Sequence, residues 1–296
     1  MNDNRVLTAN ALEQKRGRGI SGTGLKLIAL VSMLMDHISY IFGYTGRIPW
    51  WFGLAGRLAA PLFLFCLVEG FTHTRSRKKY FCRLLCIAAP MGLLLFLMRF
   101  AGIFVRPDGF YPQNAMLSAF LLLILCFQAF EWIGTGKPKK IAAGITVLLG
   151  LFLWPFVLGL FSMTGVAGAN IAGILGYTLL PVLNISGDVT LPVLLAGIVL
   201  YLTRKNRRVQ ALSLIVTEFL WHFVLVFFVM RTQPGFEFSQ MFTMYYEWMG
   251  AVFAAPLILW YNGKRGAGHG TFFYVFYPAH IYILYALSWL MMAAGS

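Results

Sequence analysis

The segment Leu25–Thr45, LKLIALVSMLMDHISYIFGYT, is apolar for long enough to span a bilayer, since about 20 helical residues cover the ~30 Å hydrocarbon core. Similar segments recur at about Trp51–Phe71, Phe81–Ile103, Ala115–Ile133, Ile141–Phe161, Val166–Ser186, Thr190–Thr203, Val209–Met230, Gln240–Trp260 and Thr271–Met292. They predict an all-α fold, a polytopic integral membrane helical bundle of about 9–10 transmembrane helices. Composition agrees. The chain is 59% hydrophobic and 11% charged, where a soluble domain carries about 25% charged residues.

The formal net charge is +14, from 24 Lys+Arg against 10 Asp+Glu. Basic residues cluster in a tail up to Gly24, in the His73–Arg83 loop and at Lys137–Lys140, alternating with nearly neutral loops. Under the positive-inside rule these blocks share the cytoplasmic side, and Gly43–Trp50 and Gly102–Asn114 face outward. The expected organisation is a basic cytoplasmic N-terminal tail over 1–24, followed by a single multi-span membrane domain over 25–296. The expected location is the cell membrane, multi-pass, with no cleavable signal peptide and with membrane lipids as partners. The block Arg204–Arg208 complicates the count. Keeping it inside requires an even number of crossings after Lys140, yet three apolar segments intervene. Either Val166–Ser186 or Thr190–Thr203 is re-entrant or half-length, or the charge rule fails there.

Other motifs exclude more than they suggest. Cys66, Cys82, Cys86 and Cys126 form no CxxC pair and read as packing residues. No metal-ligand spacing, nucleophile elbow or phosphate-binding glycine loop occurs, so no metal is predicted. The basic loops lack aromatic interleaving, which argues against nucleic acid. Small residues repeat through GVAGANIAGILG, Gly165–Gly176, and permit close helix approach.

Ionisable residues inside the apolar segments carry the chemistry. Each costs at least ~2.5 kcal/mol at mid-membrane, so such residues usually face the bundle interior and have a task. Lys26 and His37 are eleven positions apart on the first segment. Eleven steps of ~100° return within about 20°, so both lie on one face, roughly 16 Å apart in depth. Asp36 points about 100° away from His37 and so serves a different partner. His37, His222 and His280 fall near the midplane, with Arg57 several Å to the outer side, by estimate from ~1.5 Å per residue. Glu218 and His222, at i and i+4, share a face, as do Glu69 and His73. Three histidines at one level, with a carboxylate and an arginine, indicate a polar cavity suited to acid–base or transport work.

Several stretches resemble a known family. GLKLIALVSMLMDHISYIFG, GRLAAPLFLFCLVEGFTHTRSRKKYFCRLL and FYVFYPAHIYILYAL resemble the TraX family, through K-L-I-A-x-x-x-M-x-x-D-H, G-R-x-x-x-P-x-F, E-G-x-x-H-T-R and F-Y-x-x-Y-P-x-H. The resemblance fades over about Gly134–Gly263. TraX-like proteins are in turn similar to the acyltransferase 3 superfamily, whose first-span signature has the Lys26–His37 spacing.

The resemblance implies transfer of an acyl group, usually acetyl, from cytoplasmic acyl-CoA to an amine or hydroxyl, such as a pilin N-terminus or a cell-surface glycan. It implies acetyl-CoA as donor. It maps the signature histidine to His37, its basic partner to Lys26 and the closing histidine to His280. On that reading Lys26, Arg75, Arg77, Lys78 and Lys79 meet the phosphates of coenzyme A. His37 takes a proton from the acceptor or carries the acyl group itself. His280 or Arg57 stabilises the oxyanion, and Asp36 completes the catalytic set. Two other functions fit the same residues: a proton-coupled transporter, and a non-catalytic assembly factor for pili or surface polymers.

Overall fold

A computed structural model describes residues 19–182, 188–268 and 270–295. The basic tail up to residue 18, the end of the Val166–Ser186 segment and His269 lie outside the described residues. The elements in chain order are α1 (Gly22–Phe42), α2 (Trp51–Gly56), α3 (Ala59–His73), α4 (Arg77–Ala101), α5 (Met116–Ile133), α6 (Pro138–Ser162), α7 (Val166–Thr178), α8 (Leu191–Leu202), α9 (Arg207–Phe219), α10 (Val226–Met230), α11 (Gln240–Thr243), α12 (Met249–Trp260) and α13 (Gly270–Gly295). No strand longer than an isolated bridge occurs among the described residues. The protein is a polytopic helical membrane protein. Seven spans among the described residues are long and apolar enough to cross a membrane: Gly22–Thr45, Trp51–His73, Arg77–Ala101, Met116–Ile133, Pro138–Ser162, Arg207–Met230 and Gly270–Ala294.

Two segments, Val166–Ser186 and Gln240–Trp260, hold shorter helices than expected, and Thr190–Thr203 is as short as its sequence. Helix α7 has 13 residues and α8 has 12, so each rises only about 18–20 Å. The last two of the three segments between Lys140 and Arg204 are thus both half-length, where the charge pattern had required only one to be. The Gln240–Trp260 segment is also not one helix. It is helical over Gln240–Thr243 and Met249–Trp260, with 244–248 irregular between them.

Two of the long spans are interrupted. Trp51–His73 breaks at Arg57 and Leu58, between α2 and α3. Pro61, in the first turn of α3, has no N–H to donate, and its ring crowds the carbonyl four residues earlier, that of Arg57. The α9–α10 span widens into a π turn over Leu220–Leu225, a form concentrated at functional sites.

The chain divides into two compact units. One comprises the residues up to Cys66 together with Thr203–Phe273. The other comprises Leu67–Leu202 and the residues from Tyr274 onward.

In the first unit α1 packs on α2, and α9 packs on α12. The start of α1 is tied down. Ser21 caps it by accepting from Gly24 N. Gly22 N and Thr23 N donate to the Lys264 and Arg265 carbonyls at 2.8 and 2.9 Å. Thr23 Oγ1 donates to the Ala267 carbonyl at 2.6 Å, and Ile20 bridges Tyr261.

In the second unit α5 packs on α4, α6 and α8, and α7 packs on both α6 and α4. The small-residue run of α7 permits this: Gly173 lies on the Phe96 ring of α4, and Gly92 of α4 meets the Tyr177 carbonyl so closely that a Cβ would collide with it. Cys82 and Cys86 are exposed on α4, unlike buried Cys66, so they are not packing residues.

Candidate functional site

Helix α1 is unbroken from Gly22 to Phe42, so Lys26 and His37 share a face as their spacing requires. His37 is 6% exposed. The Lys26 ammonium stands 5.7 Å from the centre of the Phe273 ring, a cation–π contact. Asp36 points elsewhere and finds Arg57: its Oδ1 accepts from Arg57 Nη2 at 2.5 Å. That contact depends on local backbone. Gly56 lets α2 come against Asp36, where a Cβ would collide. The break after Gly56 then turns Arg57 toward α1. The Arg57 carbonyl that Pro61 leaves without a helical donor faces Gly250 of α12, too close for any side chain there.

Arg57 has a second carboxylate. Its Nη1 lies 3.9 Å from Glu247 Oε1, in the irregular stretch before α12. On the π turn, His222 Nε2 is 3.4 Å from Glu218 Oε2. Glu247 and Arg57 are within electrostatic reach of His222. Aromatic rings surround this corner. Phe219 and Phe223 stack at 4.7 Å, and Trp248 stands edge-on to both, at 5.8 and 5.4 Å. The first unit therefore gathers Asp36, Arg57, Glu247, Glu218 and His222 beside aromatic walls, with His37 next to Asp36 in the chain.

The remaining candidates belong to the second unit. His280 is 6% exposed and stacks on Phe276 with ring centres 5.0 Å apart. Its Nδ1 is 2.8 Å from the Phe276 carbonyl. A carbonyl only accepts, so Nδ1 carries the proton and Nε2 the lone pair. Arg75, Lys78 and Lys79 are exposed. Arg77 is engaged in structure: it lies 4.4 Å over the Phe71 ring, donates to Gln128 at 3.3 Å and sits 3.7 Å from Glu131. Tyr201 also donates to Glu131, at 2.6 Å.

Sequence reasoning missed Glu247. The signal was present, because a carboxylate inside a segment read as a span demands a partner. The irregular backbone that carries it was hidden by the apolar residues on either side.

A family model described as TraX protein matches residues 21–288. The chain belongs to the TraX family. The match runs through the middle of the chain as well as its ends, so the fading of the resemblance over Gly134–Gly263 is corrected: TraX similarity includes the half-length helices and the π turn. A protein of Dichelobacter nodosus named "Probable fimbrial assembly protein FimC, serogroup H1" is 26% identical over 279 residues, covering 91% of this chain and 96% of its own length. No solved structure matches this TraX chain significantly.

Proposed function

We propose that this TraX-family protein is a membrane acyltransferase that moves an acyl group, acetyl by preference, from acyl-CoA to an amine or hydroxyl on a pilus or surface-polymer component. The observation that carries the reading is the Lys26–His37 stripe on an unbroken α1, with the Asp36–Arg57 pair beside its buried end. The name of the fimbrial relative supports the choice of acceptor. The Lys26–His37 spacing in this chain, which resembles the acyltransferase 3 first-span signature, supports the choice of reaction. The N-terminus is cytoplasmic in this reading.

Lys26 holds a phosphate of the donor at the basic end of α1. His37 meets the thioester. Asp36, the carboxylate next to it in the chain, is committed to Arg57, so we assign His37 the role of acyl carrier. A ring nitrogen attacks the thioester carbon, the C–N bond forms, the C–S bond breaks and the thiolate leaves with its electron pair. Arg57 supplies positive charge for the oxyanion, and Asp36 orients it.

The test is consumption of acetyl-CoA by the full-length protein in detergent, with glycinamide as acceptor probe. His37→Ala should lose turnover by about a hundredfold or more, and Lys26→Ala should raise KM for acetyl-CoA with little change in kcat. Full turnover in His37→Ala overturns the catalytic assignment. A wild-type protein that consumes no acetyl-CoA, in a strain whose pili fail to assemble without it, favours the assembly-factor reading instead.

A further inference from the structure

We propose that the Glu218–His222 pair is the general base for the acceptor half of this reaction; the proposal rests on the reading of His37 as acyl carrier. That reading gives His37 the donor half and, while His37 carries the acyl group, leaves the acceptor's attack without a general base. The pair has the equipment for it. Glu218 Oε2 stands 3.4 Å from His222 Nε2, where its charge would favour a protonated ring, and Nδ1 is the ring nitrogen turned from it. The Glu218 side chain is 11% exposed.

The level is also right. Helices α1 and α9 begin at a common anchor, because Ile20 bridges Tyr261 and the Arg207 guanidinium lies 4.9 Å over the same Tyr261 ring. His37 and His222 are each fifteen residues beyond the first residue of their helices, Gly22 and Arg207, hence ~22 Å along. Arg57 ties the two sides together: it binds Asp36 of α1, and its Nη1 lies 3.9 Å from Glu247 Oε1 in the stretch before α12, which packs on the helix of Glu218. The charged groups facing His222 are Glu218 from its own helix, Glu247 from the stretch before α12 and Arg57 from the α2–α3 break, with Asp36 of α1 behind Arg57. The π turn re-aims the ring relative to a regular helix.

The step balances. The acceptor nitrogen or oxygen bonds to the acyl carbon on His37, the acyl–imidazole C–N bond breaks and returns its electron pair to His37, and the acceptor's proton moves to His222 Nδ1. It then leaves to solvent or to the departed thiolate.

The experiment separates the two halves in the full-length protein, using radiolabelled acetyl-CoA, rapid quench and peptide mapping, then discharge of the label to glycinamide. In His222→Gln and Glu218→Gln, label should still form on His37 while discharge slows by about a hundredfold. The pH dependence of discharge should flatten, and Glu218→Asp should recover part of the rate. Discharge at the wild-type rate with an unchanged pH profile overturns the proposal, as does labelling that falls as far as discharge. Absence of label on wild-type His37 refutes the acyl-carrier reading itself. The pair is then judged by the pH dependence of His222 carbethoxylation, which should move in Glu218→Gln; an unmoved curve overturns the coupling of the two residues.

Discussion

The two units handle charge in opposite ways. In the second unit the ionised contacts sit at helix ends and in loops. Arg77, in the first turn of α4, meets Glu131 in the last turns of α5, and Tyr201 closes the remaining oxygen. Arg106 is 3% exposed in the loop before α5. Its Nε and Nη2 donate to Asp108 at 2.8 and 2.6 Å and its Nη1 donates to Ser288 at 3.1 Å. Its backbone N–H donates to Tyr285 Oη at 2.9 Å. These are fasteners whose polar atoms are met locally. In the first unit three of the ionisable side chains stand where regular helix fails, Arg57 at the α2–α3 break, His222 on the π turn and Glu247 in the irregular stretch before α12, and Asp36 and Glu218 reach them from regular helix. Charge inside a span costs at least ~2.5 kcal/mol per group, and here it collects where the backbone is already interrupted. The difference teaches that the first unit gathers ionisable groups at its helix interruptions while the second keeps them at its margins.

That contrast can be broken by substitution. The largest effect is expected at the Asp36–Arg57 pair. Arg57→Met removes a 2.5 Å charged hydrogen bond from Asp36 and should lower stability by up to about 3 kcal/mol, whereas Arg77→Met, whose carboxylate is 3.7 Å away, should cost about 1 kcal/mol or less. Unfolding midpoints in detergent measure both, and equal losses would erase the distinction. A smaller effect is expected from the two tight glycines. Gly250→Val and Gly92→Val should each cost about 1–3 kcal/mol through overpacking, since each Cβ meets a backbone carbonyl. Only Gly250→Val, which displaces Arg57, should also slow acetyl-CoA turnover.

The smallest effect concerns Asp108. The hydrogen bonds from Arg106 hold its carboxyl below the ordinary carboxylate range. A group whose folded pKa is lowered contributes stability that is complete above its unfolded value of ~3.9 and is lost as pH falls through the lowered one. Stability should therefore drop on acidification below about pH 4 by less than ~1 kcal/mol, because the carboxylate is open to solvent. Asp108→Asn should flatten that part of the curve, and an identical acid limb in the variant would refute the assignment.

Much of the site was legible before the structure. The Lys26–His37 stripe and the Glu218–His222 pair follow from helical period alone, and both held because α1 is unbroken and the i,i+4 spacing survives the onset of the π turn. The direction of Asp36 away from His37 was legible for the same reason, but its partner was not. Arg57 is 21 positions away, and its approach depends on Gly56, on Pro61 and on which helix lies beside α1. The clasp of Thr23 on Ala267 joins residues 244 positions apart and leaves no local trace. The half-length helix α7 was misread because hydropathy registers apolar residues whether or not the backbone stays helical.

The sequence by itself determined that this is a polytopic helical membrane protein with an ammonium and an imidazole on one face of its first span, because hydrophobic length and the 3.6-residue period act within a segment. Only the tertiary structure decided that Arg57 and Glu247 sit at interruptions and that Asp36 is bound by Arg57. Those facts arise from which segments become neighbours, and partner choice between helices depends on close contacts such as Gly250 on the Arg57 carbonyl, which no periodicity encodes.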